Sequence, residues 1–139
     1  MARIRDFDPS ALDAYRSVRL QVAGGMNTGF EGSSRQFSVF LPRWFIATAQ
    51  RERILLASDI DALRSILVRD FGGCTVNASP LEGIGRRGLE FETNLHTQVV
   101  VLASRWRGTM RYFRALRREL EACSGEEQVL ILRQDLIII

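Results

Sequence analysis

Apolar positions in this chain switch between two periods, and the switch is made twice in the same order. Phe37, Val39 and Leu41 fall two apart in Gln36–Leu41, the spacing of a strand with one buried face. Ile60, Leu63, Ile66, Leu67 and Phe71 then recur at three and four, the stripe of an amphipathic helix. Gly72-Gly73 offers a left-handed stop, and Cys74–Ala78 returns to an extended pattern. The second copy begins with the apolar run Thr97–Ala103. A helix from Thr109 to Cys123 follows, with Met110, Phe113, Leu116 and Leu120 on one face. Ser124-Gly125 ends it, and Gln128–Ile139 carries VLIL and LIII. Strand–helix–strand written twice predicts an α+β domain of the ferredoxin-like βαββαβ type. Its expected four-stranded antiparallel sheet has both helices on one face and strand order 4-1-3-2.

Local signals sharpen some boundaries. Ser58 is a good N-cap for the first helix, with Asp59 and Asp61 near the positive end of its dipole. Pro42 ends the pairing of the first strand or marks an edge. Asp8-Pro9-Ser10 suits a helix start, and Leu12, Tyr15, Val18 and Val22 recur near helical spacing. The chain therefore divides into 1–34, an N-terminal helix and Gly-rich linker, and 35–139, the α+β domain. Trp44–Ala57 fits either an extended arm or a helical turn. The stretch from Ser79-Pro80 to Gly88 holds Gly83 and Gly85 and predicts a long turn with Arg86-Arg87 at its tip.

At Phe71-Gly72-Gly73-Cys74-Thr75-Val76 the chain resembles uncharacterised small bacterial α+β proteins. These carry a helix, a phenylalanine–glycine–glycine step, a Thr-containing strand and a Pro/Gly-rich hairpin, and later an acidic pair before a final apolar strand. The matching pieces here are Asp61–Val76, Pro80–Gly85 and Glu126-Glu127-Gln128-Val129, within roughly residues 36–136. The resemblance implies a ferredoxin-like fold and no settled activity. A Trp expected after the hairpin glycine is missing, since Arg86 follows Gly85.

Composition narrows the functional classes. With 139 residues, 46% hydrophobic and 25% charged, the chain is long enough for one cored domain. No secretory or membrane-spanning pattern is evident, and Cys74 and Cys123 are too few and too far apart for a disulfide framework or a metal motif. A cytoplasmic setting with two unbridged thiols is expected. All 19 basic residues are Arg, whose planar fork suits phosphate, but 16 acids nearly balance them.

The candidate sites follow from these residues. Arg107, Arg111, Arg114 and Arg118 share one stripe of the second helix, and are either a phosphate-binding face or a solvated one paired with Glu121 and its neighbours. Arg86 and Arg87 on a glycine-containing loop are the second anion-binding candidates. His96, the sole histidine, with Glu92 is the candidate pair for general-base chemistry. Base stacking on the sheet is disfavoured because Thr97–Leu102 lacks an aromatic residue. No cofactor or metal is expected.

Two helices on one sheet face would leave the other bare and apolar, and Leu136-Ile137-Ile138-Ile139 would lie at an edge. The expectation is a homodimer through the sheet face or through Gln128–Ile139, unless the N-terminal helix covers the open face. The function expected is a self-associating ligand-binding or regulatory domain. The alternatives are a nucleic-acid or nucleotide binder and a small enzyme using His96 in a dimer cleft.

Overall fold

A computed structural model describes residues 5–20, 32–44, 57–77, 81–87, 90–124 and 129–138; for 32–33, 42–44, 81–87, 90–96 and 138 the description covers the backbone alone. The strands are β1 (Gly32–Trp44), β2 (Thr75–Val76), β3 (Leu81–Arg87), β4 (Glu90–Ala103) and β5 (Ile131–Ile138). The α-helices are α1 (Ala57–Phe71) and α2 (Arg107–Ser124). Two short 3-10 helices, Pro9–Tyr15 and Val18–Leu20, precede them. The fold is α+β, with an antiparallel sheet in the order β2-β4-β1-β5 and β3 added beside β4.

The core lies between the sheet and both helices. Phe37 and Val39 of β1 stand opposite Val101 and Val99 of β4, and all four are buried. Phe113 of α2 stacks on Phe37 with ring centroids 3.9 Å apart, and Phe71 of α1 meets Phe113 at 5.2 Å. One ring thus touches the sheet and the other helix. Such pairs add about 0.5–1.5 kcal/mol each beyond the area they bury.

Pro42 is explained by the length of β5. Phe40 N donates to Leu130 O at 3.0 Å, so the even-numbered N–H groups of β1 point toward β5. The pairing with β5 runs from Gly32 to Val39 and is extended by that bond to Phe40. Pro42 lies beyond it, where no N–H is required, while its other side stays in register with His96. The register shifts between Pro42 and Trp44.

Three expectations need correction. The N-terminal segment is two 3-10 helices separated by Arg16-Ser17, not one α-helix. Leu12 and Leu20 are fully buried, whereas Val18 is 89% exposed. This segment packs on the two helices, not on the far face of the sheet. The Gly-containing stretch after Pro80 is strand β3, from Leu81 to Arg87, because β4 extends back to Glu90 and pairs with it. The face turned away from the helices is mixed, not a bare apolar surface. It carries Ser34, Gln36 and Ser38 beside Val100 and Leu102, both serines are buried, and Gln98 Nε2 donates to Ser38 Oγ at 3.3 Å. Trp44–Ala57 falls largely outside the described residues.

The stop after α1 is as the sequence demands. Gly72 has φ +85°, and its N–H donates to Val68 O at 2.9 Å. A side chain at this φ is strained even though no atom blocks a Cβ there. Gly72→Ala is expected to lower the unfolding free energy by about 1–2 kcal/mol, read from the midpoint of a urea transition with unchanged slope.

Candidate anion-binding face

Charges on α2 divide into two groups with opposite fates. Its acids point inward and are occupied. Glu119 is 6% exposed and accepts both terminal nitrogens of Arg5, at 2.5 and 2.6 Å, together with Asp8 N at 2.9 Å. Glu121 accepts Val129 N at 2.8 Å and so fixes the chain entering β5. The expected pairing of Glu121 with the arginine stripe is therefore replaced by a backbone contact.

The arginines point outward. Arg107, Arg111, Arg114 and Arg118 are exposed along one stripe, and Arg117 is exposed beside it. None of the five makes a hydrogen bond or ion pair among the described residues. Met110, Phe113, Arg114 and Arg117 face Phe37, Ile131 and Arg133 across a notch of about 120 Å³ between α2 and the sheet. Enclosed sites for small organic ligands run to about 300–1,000 Å³. The notch can hold one small group, not a whole ligand, and its lining combines apolar side chains with Arg114, Arg117 and Arg133, the last donating Nη1 to Met110 Sδ at 3.7 Å. Arg117 and Arg133 were missed by sequence reasoning. Arg117 sits off the stripe, and the packing of α2 against β5 has no signal in the chain.

The remaining candidates are not brought together. Arg86 and Arg87 end β3 opposite Phe91 and Glu90, at the far end of β4 from the turn that leads into α2. Glu92 and His96 share a face of β4, four positions apart, with Gly85 opposite the first and Leu81 and Pro42 opposite the second. The side chains of these four residues lie outside the described ones. Among the described residues no group of three or more His, Cys, Asp or Glu is placed to hold a metal, and no helix is long and apolar enough to cross a membrane. Cys74 and Cys123 form no disulfide. Burial raises the Cys74 thiol above its ordinary pKa, with Arg64 opposing, so it is protonated at neutral pH. No family model, curated protein or solved structure matches this chain.

A second charged centre, around Asp70 of α1, is structural. This carboxylate is 5% exposed and accepts Arg16 Nε at 2.8 Å, Arg69 Nε at 2.9 Å and the Tyr112 hydroxyl at 2.8 Å. The contacts join the N-terminal segment, α1 and α2. Asp59 acts in parallel by accepting Phe7 N at 3.1 Å. Ser104, at the end of β4, donates its N–H to Leu20 O at 3.2 Å and its hydroxyl to Arg19 O.

Burial alone would raise the Asp70 carboxyl, but hydrogen bonds from Arg69, Tyr112 and Arg16 outweigh it and hold the carboxyl below its ordinary value. Burial, reinforced by Asp70, pushes the Tyr112 phenol upward, so it remains a donor throughout the working range. A lowered folded pKa stabilises the native state above the unfolded value of about 3.9, and that contribution is lost as pH falls through the folded value. Chemical denaturation between pH 6 and 2 is expected to show a shallower acid loss for Asp70→Asn than for the parent chain. Tyr112→Phe is expected to cost about 1–2 kcal/mol at neutral pH.

Proposed function

We propose that this chain is a self-associating binding domain whose arginine face on α2 holds the phosphate backbone of a nucleic acid. The observation that carries the reading is the division of charge on α2, with Glu119 and Glu121 engaged internally and Arg107, Arg111, Arg114, Arg117 and Arg118 left without counter-ions among the described residues. Each guanidinium presents a planar fork suited to phosphate oxygens. From Arg107 to Arg118 the helix rises about 16 Å, which suits successive phosphates better than one anion. Contacts of this kind position a strand without reading its bases.

A small organic anion is the second reading, favoured by the notch beneath Arg114, Arg117 and Arg133. There an apolar or aromatic group rests on Met110 and Ile131 while its charge meets the arginines. This would make the domain regulatory, as the ligand would bridge α2 and β5.

The ferredoxin-like assignment belongs to this proposal. Its support is the run β5-β1-β4-β2 with both helices on one face, β3 being an added arm. The resemblance to small bacterial α+β proteins agrees with it and suggests no activity. A homodimer is proposed through the β5 edge, since the sheet face is mixed in character. The unbridged Cys74 and Cys123 favour a reducing, cytoplasmic setting.

Fluorescence anisotropy with a labelled oligonucleotide of about 20 residues tests the main reading. Binding is expected at low salt and should fall steeply as salt rises. The double variant Arg111→Ala, Arg114→Ala should weaken binding at least tenfold and reduce the salt slope by about two counter-ions. Absence of binding at low salt would remove this reading. Competition by mononucleotides at the notch, lost in Arg117→Ala, would favour the second.

A further inference from the structure

The eight residues of β5, Ile-Leu-Arg-Gln-Asp-Leu-Ile-Ile, form a self-complementary sequence about their fourth member, Gln134. Moving outward from Gln134, Arg133 is balanced by Asp135, Leu132 by Leu136, and Ile131 by Ile137. An antiparallel strand laid against a copy of itself with Gln134 opposite Gln134 would set each residue against its complement. We infer that β5 pairs with β5 of a second copy in this register, across a two-fold axis beside Gln134. The inference rests on the self-association proposed above and adds its surface, partner and register.

Four observations support it. First, β5 ends the sheet among the described strands, and Leu132, Arg133, Gln134, Asp135 and Ile137 are exposed, Ile137 to 80% and Leu132 to 49%. Second, the backbone parity is correct. Leu130 O accepts from Phe40, so even-numbered residues of β5 turn their backbone groups toward β1. The odd-numbered ones, Ile131, Arg133, Asp135 and Ile137, therefore present N–H and C=O outward. Pairing about Gln134 places odd residues opposite odd residues, so these groups can bond across the dimer.

Third, the neighbouring registers of the same parity are penalised. Shifting one way sets Arg133 against Arg133 of the second copy, and shifting the other sets Asp135 against Asp135. Like charges directly opposite one another are destabilising. Fourth, Asp135 has acceptor capacity in hand. Its Oδ1 stands 3.5 Å from both Arg35 Nε and Arg133 Nε, longer than a charge-assisted hydrogen bond. The buried Arg35 Nε and Nη1 make no hydrogen bond among the described residues. In the proposed register Asp135 lies between Arg35 of its own chain and Arg133 of the second copy, on the helix-bearing face. Leu132 then meets Leu136 of the second copy on the other face. Charges at mid-edge often serve to block pairing. Here their antisymmetric order blocks the wrong registers and permits one.

Two measurements test the register. In a Cys74→Ser background, cysteines are introduced singly at Arg133, Gln134 and Asp135 and oxidised at micromolar concentration. Gln134→Cys is expected to crosslink to its own copy as the main product, since facing Cα atoms at a non-hydrogen-bonded pair stand about 4.5 Å apart, within disulfide reach. Arg133→Cys and Asp135→Cys should crosslink much less. In sedimentation, Arg133→Asp and Asp135→Arg are each expected to dimerise at least tenfold more weakly than the parent chain. Mixed together they should form a heterodimer, because every facing pair is again opposite in charge. A parent dimer without a Gln134→Cys crosslink, or with preferred crosslinking at position 133 or 135, would overturn this register while leaving self-association standing. A parent chain monomeric at about 100 µM would overturn both. A folded but monomeric mixture of the two charge variants would count against the β5 pairing in particular.

Discussion

Everything in this fold converges on Phe113. Its ring stacks on Phe37 of the central strand, touches Phe71 of the other helix and neighbours Tyr112 edge-on at 5.5 Å. Tyr112 then carries the connection outward, because its hydroxyl ends on Asp70 and Asp70 holds Arg16 of the N-terminal segment. A chain of contacts therefore runs from sheet to helix layer to N-terminal segment. The apolar end supplies most of the attraction by removing large rings from water. The polar end adds direction, since Asp70 is satisfied in one arrangement of the three elements and costly to bury in any other.

Charge on α2 shows the same separation of roles at the surface. The helix must keep Glu119 and Glu121 inside its contacts to hold Arg5, Asp8 and Val129 in place. That leaves its arginines without partners among the described residues, although the whole chain carries a net charge of only +3. Net charge understates the local field here, because the two acids of this helix, Glu119 and Glu121, are engaged away from the arginine stripe. A modest overall charge is thus compatible with a strongly basic face.

Much of the architecture was legible because its causes are local. Phe37, Val39 and Leu41 announce a strand, Gly72 a stop, and Met110 to Leu120 a buried helix face, all through spacing or backbone chemistry. Other features were hidden because contacts distant in the chain decide them. Val18 fitted a helical stripe, yet Leu20 is the residue buried, since Asp70, Asp59 and Ser104 fix the path of the segment. Gly83 and Gly85 look like turn residues, but the facing run of β4 draws them into a strand. The arginine stripe was visible as a helical period. Its lack of counter-ions among the described residues was not, because that depends on where Glu119 and Glu121 find their partners. The addition of Arg133 to the notch depends on how β5 returns to β1.

That return has a consequence for how the protein is made. Gly32 of β1 pairs with Ile138 of β5, so the central strand waits for the last described strand to gain its second neighbour. While the ribosome is still adding β5, β1 can pair with β4 but keeps one side open. Sheet completion must therefore follow synthesis of β5, and a nascent chain has an unpaired edge on its central strand until then.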